Sequence, residues 1–177
     1  MSSQRQQILN DSLAGGMIGG YLETGFPFYF INRRMLSYLG YDREDEFISD
    51  IQGMLPNSIH PGDREKAVAD AKFQLDGGDE YTLEYRMRKK DGSYIWVHDV
   101  AHKVVTEDDR DAIISVCIDV TAQKKAQNEI VHIYNNIPGA VFRCRFDDKF
   151  SVIAANDGLF DFIGYTREEF AAMGNHM

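Results

Sequence analysis

The chain has 177 residues, with 19 Lys and Arg against 28 Asp and Glu, a formal charge of −9; hydrophobic residues at 44% and charged residues at 27% describe a globular chain able to bury a core. The acidic excess excludes nucleic acid as a partner, because phosphate-backbone binding depends on Lys and Arg, and two cysteines without CxxC spacing exclude a disulfide framework or a structural metal. The apolar runs fall far short of the roughly 18 residues a membrane span needs and the N-terminus is not signal-like, so the segment reads as soluble and cytoplasmic, with any membrane anchor lying elsewhere in the intact protein.

In chain order, residues 1–12 read as an N-terminal helical segment. Residues 17–23 and 26–31 read as two short strands broken at Thr24 and Gly25, followed by a short helix from Asn32 to Leu39 closed by Gly40, which relieves the left-handed backbone that ends a helix. A second short helix spans 43–51. A longer one follows His60-Pro61-Gly62, with Asp63 as expected N-cap, Ala67, Ala71 and Leu75 at helical spacing, and Gly77-Gly78 as its end. Three strands are then expected over 81–89, 94–105 and 112–120, the first pair joined through Asp91-Gly92, a strong hairpin signal. The order β-β-α-α-α-β-β-β is that of an α+β fold with an antiparallel sheet. Beyond it, Gln123, Ala126, Ile130, Ile133 and Ile137 fall at spacings of 3, 4, 3 and 4, a short coiled-coil seam through which two chains could pair in parallel. The alternative is a single amphipathic helix packing on its own domain.

The chain also repeats itself. Residues 13–44 superpose without a gap on 137–168, with identities at Gly15/Gly139, Phe26/Phe150, Asn32/Asn156, Gly40/Gly164, Tyr41/Tyr165, Arg43/Arg167 and Glu44/Glu168. Residues 137–177 therefore read as the first part of a second copy. Its Val141, Phe142, Phe150, Phe160, Phe162 and Ile163 lack the sheet that should bury them, so this part is expected to be poorly ordered or to borrow a surface.

The motifs Asn32 with Leu36 and Leu39-Gly40-Tyr41, His60-Pro-Gly-Asp-Arg64, Glu84-Tyr-Arg-Met-Arg88, Lys90-Asp-Gly-Ser-Tyr-Ile-Trp-Val97 and Asp119-Val-Thr121, taken in order, resemble a PAS domain with its PAC motif, of the kind found in bacterial signalling proteins. The resemblance covers about residues 13–121, with 122–136 as a linker helix and 137–177 as the N-terminal part of a second such domain. It implies the PAS fold: a five-stranded antiparallel sheet with short helices on one face, flanked by N-terminal and C-terminal helices, around a small cavity. It further implies a sensing or dimerisation role, with a histidine kinase or diguanylate cyclase as output domain of the same polypeptide.

Strand parity sorts side chains into two sets, and the resemblance places the Ser115, Cys117 and Asp119 side of the last strand toward the cavity. Val97, Asp99 and Ala101 then face inward with Leu83, Tyr85 and Met87. Trp96, Val100, Ile114, Val116 and Ile118 form an apolar outer face, to be covered by the segment around Ile8, Leu9 and Leu13 or by a second subunit. The candidate ligand-binding residues are Asp99, Tyr85, Met87, Val97, Ser115 and Cys117. A carboxylate facing an apolar cavity requires a partner, a raised pKa or a ligand: Asp99 either sits near water, pairs with an arginine, or anchors a ligand with Tyr85 and Ser115. Asn32 is expected to bridge backbone at its helix start. Candidate relay residues are Asp119 and Thr121, tying the sheet to the linker, and Ile130 and Ile133 on the seam; a homodimer through the linker helix or the outer sheet face follows.

Other chemistry is not supported. Gly77-Gly-Asp-Glu-Tyr81 approaches the diguanylate cyclase signature but lacks its hairpin context and nucleotide-binding companions. Neither Cys117 nor Cys144 lies in the Asn-Cys-Arg-like helix motif of flavin photoreceptor relatives, and His60, preceding Pro61, reads as a loop or cap residue and not as a haem ligand. No catalytic constellation, metal site or cofactor is expected; an unidentified small organic ligand is. A cavity filled by Tyr38, Phe73, Tyr85 and Met87 would favour a non-sensing interaction module, and an empty volume beside Asp99 or Cys117 a sensor.

Overall fold

The computed structural model describes residues 15–175. They divide into two units, with the boundary between Ala122 and Gln123, each taken here by itself. In the first unit, β1 (Gly16–Tyr21) and β2 (Phe28–Ile31) precede α1 (Arg33–Leu39), α2 (Glu44–Asp50), a 3-10 turn (Leu55–Ser58) and α3 (Pro61–Gly77), and β3 (Glu80–Arg88), β4 (Tyr94–Val105) and β5 (Asp111–Asp119) complete it. The five strands form one antiparallel sheet in the order β2-β1-β5-β4-β3, the expected α+β architecture.

Local chemistry accounts for the element ends. Asn32 caps α1, its Oδ1 accepting the backbone N–H groups of Met35 and, across to β1, of Met17, both at 2.8 Å. Gly40 ends the same helix at φ 79°. The expected break between the first two strands is wider than the sequence suggests, because Gly25 and Phe26 turn in the left-handed region (φ 86° and 51°) and postpone β2 to Phe28. The β3–β4 turn is closed by Lys89 N–H to Ser93 O at 2.8 Å, with Asp91 Oδ1 accepting from Ser93 N–H at 2.9 Å. α3 corrects one expectation. Its N-cap is His60, whose Nδ1 accepts the Gly62 N–H at 2.9 Å ahead of Pro61. Asp63 instead lies inside the first turn and takes the Arg86 guanidinium on β3 at 2.6 and 2.8 Å. The long-range partner outcompetes the local cap.

The helices cover one face of the sheet. Met35, Leu39, Phe47, Ile51, Met87, Val97 and Cys117 are the centre of the larger apolar cluster, and Phe26, Ala71, Leu75, Tyr81, Ala101 and Ile113 form a second one under α3. α1 packs so close to β1 that a Cβ on Gly16 would stand 2.6 Å from the Met35 sulfur; only glycine fits there. The strand parity holds for Tyr85, Met87, Val97, Asp99, Ala101, Ser115 and Cys117, which are buried, while Leu83 is half-buried; Ile114 and Val116 are half-buried and Ile118 is exposed on the opposite face, and Asp119, expected on the cavity side, is exposed at the end of β5. The segment around Ile8, Leu9 and Leu13 expected to cover that face, and the 1–12 helix, lie outside the described residues.

α4 (Thr121–Asn136) follows β5 directly. Residues 123–136 of it open the second unit, followed by β6 (Phe142–Cys144), β7 (Val152–Ala155), α5 (Asp157–Ile163) and α6 (Arg167–Ala172). This unit forms a hairpin and two helices. It reproduces the start of the first unit in detail. Asn156 caps α5 as Asn32 caps α1, its Oδ1 accepting from Leu159 N–H at 3.2 Å and Val141 N–H at 2.8 Å. Gly164 ends α5 at φ 77°, and Phe150, like Phe26, has positive φ. The expected lack of burial holds for half of the residues named: Phe142, Phe150 and Phe162 are exposed, whereas Val141, Phe160 and Ile163 are half-buried. No described helix is long and apolar enough to cross a membrane.

Candidate functional site

Three strands bring a polar cluster into an otherwise apolar interior. Asp99, 0% exposed, sits mid-β4, opposite Leu83 of β3 and Cys117 of β5. Its Oδ2 accepts the hydroxyls of Tyr85 at 2.7 Å and Tyr81 at 3.1 Å. Tyr81 Oη lies 3.2 Å from Ser115 Oγ on β5, so the four groups form one chain of hydrogen bonds. The other carboxyl oxygen, Oδ1, is fully buried and meets no donor in good hydrogen-bond geometry, with Ser115 and Cys117 the donors nearest the carboxyl besides the tyrosines.

Among the described residues no cation pairs with Asp99; the arginine partner considered from sequence is absent, and tyrosines take its place. Burial pushes the Asp99 carboxyl up from its ordinary value, opposed by Tyr85, Ser115, Tyr81 and Cys117, which favour the ionised form. Burial likewise raises Tyr85, Tyr81 and Cys117 well above their usual values, with the Asp99 charge adding to each. Each of these groups is therefore driven toward its neutral form.

On the far side of the two tyrosine rings lies a cavity of about 50 Å³, lined by Phe26, Ile59, Ala67, Ala71, Leu83 and Ile113 together with Tyr81 and Tyr85. It lies between α3 and the inner face of the sheet. An apolar cavity of about 150 Å³ accommodates benzene, so this one has room for two or three heavy atoms and none for haem or flavin in the observed conformation. Of the six candidate ligand-binding residues, Tyr85 alone lines it. Met87 and Val97 are fully buried in the larger core cluster. Ser115 holds Tyr81, and Cys117 faces Asp99 across the β4–β5 ladder. Phe73, named as a possible pocket-filler, is 81% exposed on the outer side of α3; the helix turns its Ala67-Ala71-Leu75 stripe inward instead.

Tyr81 was not singled out from sequence, although it shares strand parity with Leu83, Tyr85 and Met87. It sits at the start of β3, beside the Gly77-Gly-Asp-Glu string.

The relay candidates occupy the β5–α4 junction. Asp119 Oδ1 accepts the Thr121 N–H at 2.8 Å, and Thr121 Oγ1 accepts the Trp96 N–H at 2.9 Å, so the first residue of α4 is bonded to β4 three residues from Asp99. Along α4, Ile130 and Ile133 are 67% and 59% exposed, and Val131 is exposed beside them. The helix ends at Asn136, just before Ile137 of the expected seam. Among the described residues no cluster of three or more His, Cys, Asp and Glu side chains is placed to hold a metal.

The sequence profile of a family described as the PAS fold matches residues 28–118. No curated protein matches the chain. Similar solved structures include the PAS domain of a protein from Colwellia psychrerythraea (TM-score 0.54, 20% identity, covering 69% of this chain and 99% of that one). Another is a sensory box histidine kinase/response regulator from Burkholderia thailandensis (TM-score 0.51, 25% identity, 71% and 92% covered). A third is the PAS domain of an HTR-like protein from Haloarcula marismortui (TM-score 0.52, 21% identity, 67% and 91% covered).

Proposed function

The chain belongs to the PAS fold family, and on that premise we propose that residues 13–121 are the sensory and relay module of a multi-domain bacterial signalling protein. They would take a small ligand in the interior and pass its occupancy through the linker helix, residues 122–136. One observation carries this reading. Tyr81 and Tyr85 belong to both places at once, their rings walling the cavity and their hydroxyls holding Asp99. A ligand that displaces either ring disturbs β4, and β4 is bonded to the first residue of α4. Asp119 and Thr121 would transmit, and Ile130 and Ile133 would report at a homodimer seam, with the outer sheet face as the other candidate interface. The similar Burkholderia protein is a sensory box histidine kinase; a histidine kinase or diguanylate cyclase is the proposed output domain of this polypeptide, in the cytoplasm. Residues 137–177 are read as the start of a second PAS domain, on the matching caps at Asn32 and Asn156. No catalytic role is assigned to this chain.

A second reading rests on the cavity size. With Met87 and Val97 fully buried and only about 50 Å³ left open, the interior is nearly filled by its own side chains, as in a module that only dimerises and spaces domains. Native mass spectrometry and a thermal-shift screen over small metabolites separate the two. The sensor reading expects a retained or stabilising small molecule; a complete absence of binding selects the spacer.

A further inference from the structure

Resting on the sensor reading, we propose that the cavity under α3 is selective for a neutral hydrocarbon of at most about three heavy atoms. Its walls carry this assignment. They are almost wholly carbon: the methyls of Ala67 and Ala71 on α3, the Ile113 side chain on β5, and the rings of Phe26, Tyr81 and Tyr85. The two tyrosines are the lining residues with a side-chain polar group to offer, and both turn it away. Their hydroxyls donate to Asp99 Oδ2 at 3.1 and 2.7 Å, and Tyr81 Oη is also 3.2 Å from Ser115 Oγ. The polar network and the cavity therefore use opposite sides of the same rings.

A cavity without polar atoms does not hold water, which needs several hydrogen-bond partners. Its wall atoms lack van der Waals neighbours on one side, and an apolar occupant restores those contacts without leaving any polar group unpaired. An alcohol of the same size would bury an unpaired hydroxyl, and an ammonium or carboxylate an unpaired charge, which costs far more. A diatomic gas fills less of the space and gains fewer contacts. Larger molecules are excluded by volume: a cavity of about 150 Å³ accommodates benzene, and this one has about 50 Å³. Access has the same character. Tyr81 also lines a surface groove beside Gly77, Gly78 and Thr82, and Phe26 another beside Lys72 and Leu75, so a molecule arriving from either groove passes an aromatic ring. The ceiling on binding energy per heavy atom puts the Kd of a three-atom occupant no tighter than roughly 0.5 mM. Such an occupant exchanges with a dissolved pool and reports its concentration; it is not held as a cofactor.

The test follows the methyl NMR signals of Ala67, Ala71 and Ile113 in the full chain. Ethane and propane are supplied under pressure, with nitrogen at the same pressures, and are compared with dissolved ethanol, sodium acetate, ethylammonium chloride and benzene. Ethane and propane should shift these methyls saturably. Nitrogen, ethanol, acetate and ethylammonium should need concentrations at least about tenfold higher, and benzene should shift none of them. Ala71→Leu, which fills the space from α3, should remove the response. Any of the four comparison compounds binding within that tenfold, or benzene shifting the same methyls, would overturn the hydrocarbon class and leave the sensor reading standing. An alkane response that survives Ala71→Leu would overturn the site. If the alkanes do not bind but another metabolite does, the class falls and the sensor reading stands; if neither this series nor a broad metabolite screen moves these methyls, both fall. Should Ala71→Leu not fold, the ratio of ethane to ethanol affinity and the exclusion of benzene in the unaltered chain decide alone.

Discussion

Asp99→Asn tests the buried carboxyl on stability. The side chain is isosteric, and its amide oxygen can accept both tyrosine hydroxyls, so the hydrogen bonds to Oδ2 survive. At pH 3 the native and unfolded forms of the unaltered chain both carry a protonated Asp99, and the two proteins should differ by no more than about 1 kcal/mol, one hydrogen bond gained or lost. The sign at higher pH follows from the raised carboxyl. Above its ordinary value of 3.8 the unfolded chain ionises Asp99, while the native fold, which buries it without a cation, retains the proton. Each further pH unit then lowers the folding equilibrium constant of the unaltered chain about tenfold at this site, until the native carboxyl itself ionises. Asn escapes that loss, so the variant gains on its parent with rising pH and then stays ahead by a constant margin. Urea unfolding from pH 3 to pH 9, followed by the fluorescence of Trp96, the single tryptophan, reads the difference directly, because all other titrating groups are common to both proteins. A difference that does not change with pH would refute the neutral buried acid.

The Asp63–Arg86 pair has the opposite sign. The hydrogen-bonded Arg86 guanidinium is the chief cause of lowering the Asp63 carboxyl to about 2, so its contribution is present above the ordinary value near 4 and is lost as pH falls toward 2; acid unfolding of Asp63→Asn should show a shallower slope in that window. Asn32→Ala removes the acceptor for two buried or half-buried backbone N–H groups and should cost about 2 kcal/mol in denaturant unfolding; a loss under about 0.5 kcal/mol would mean that water replaces the cap. Replacing both Ile130 and Ile133 by Asp should lower the assembly state in light scattering with the fold intact, and an unchanged dimer would move the interface to the outer sheet face.

Much of the fold was legible because period-two burial fixes a face once one residue on it is assigned. The family resemblance turned the Ser115 and Cys117 side of β5 inward, and strand parity carried that register to Asp99, Tyr85 and Met87. Asn32 was legible for a local reason, a short polar side chain before an apolar helix closed by Gly40. Three features were not. The failure of Asp63 as the cap depended on its being claimed by Arg86, 23 residues away, a tertiary competition that local propensity does not encode. Phe73 suggested a core aromatic by type, but helical phase put Ala71 and Leu75 inward. The cavity beneath α3 is set by how closely that helix approaches β3, and small residues at Ala67 and Ala71 leave the space. Without that distance, Asp99 and Cys117 looked like its lining, when the tyrosine rings stand between.

The central claim is that events in the cavity reach the start of α4. Ala71→Leu fills the cavity from α3 and stands in for an occupant, and amide hydrogen exchange compares it with the unaltered full chain. The account predicts altered exchange at Trp96 and Thr121, whose N–H groups hold the β4–β5–α4 junction. A folded variant whose changes stop at α3 and β3, with both amides exchanging as before, would contradict it.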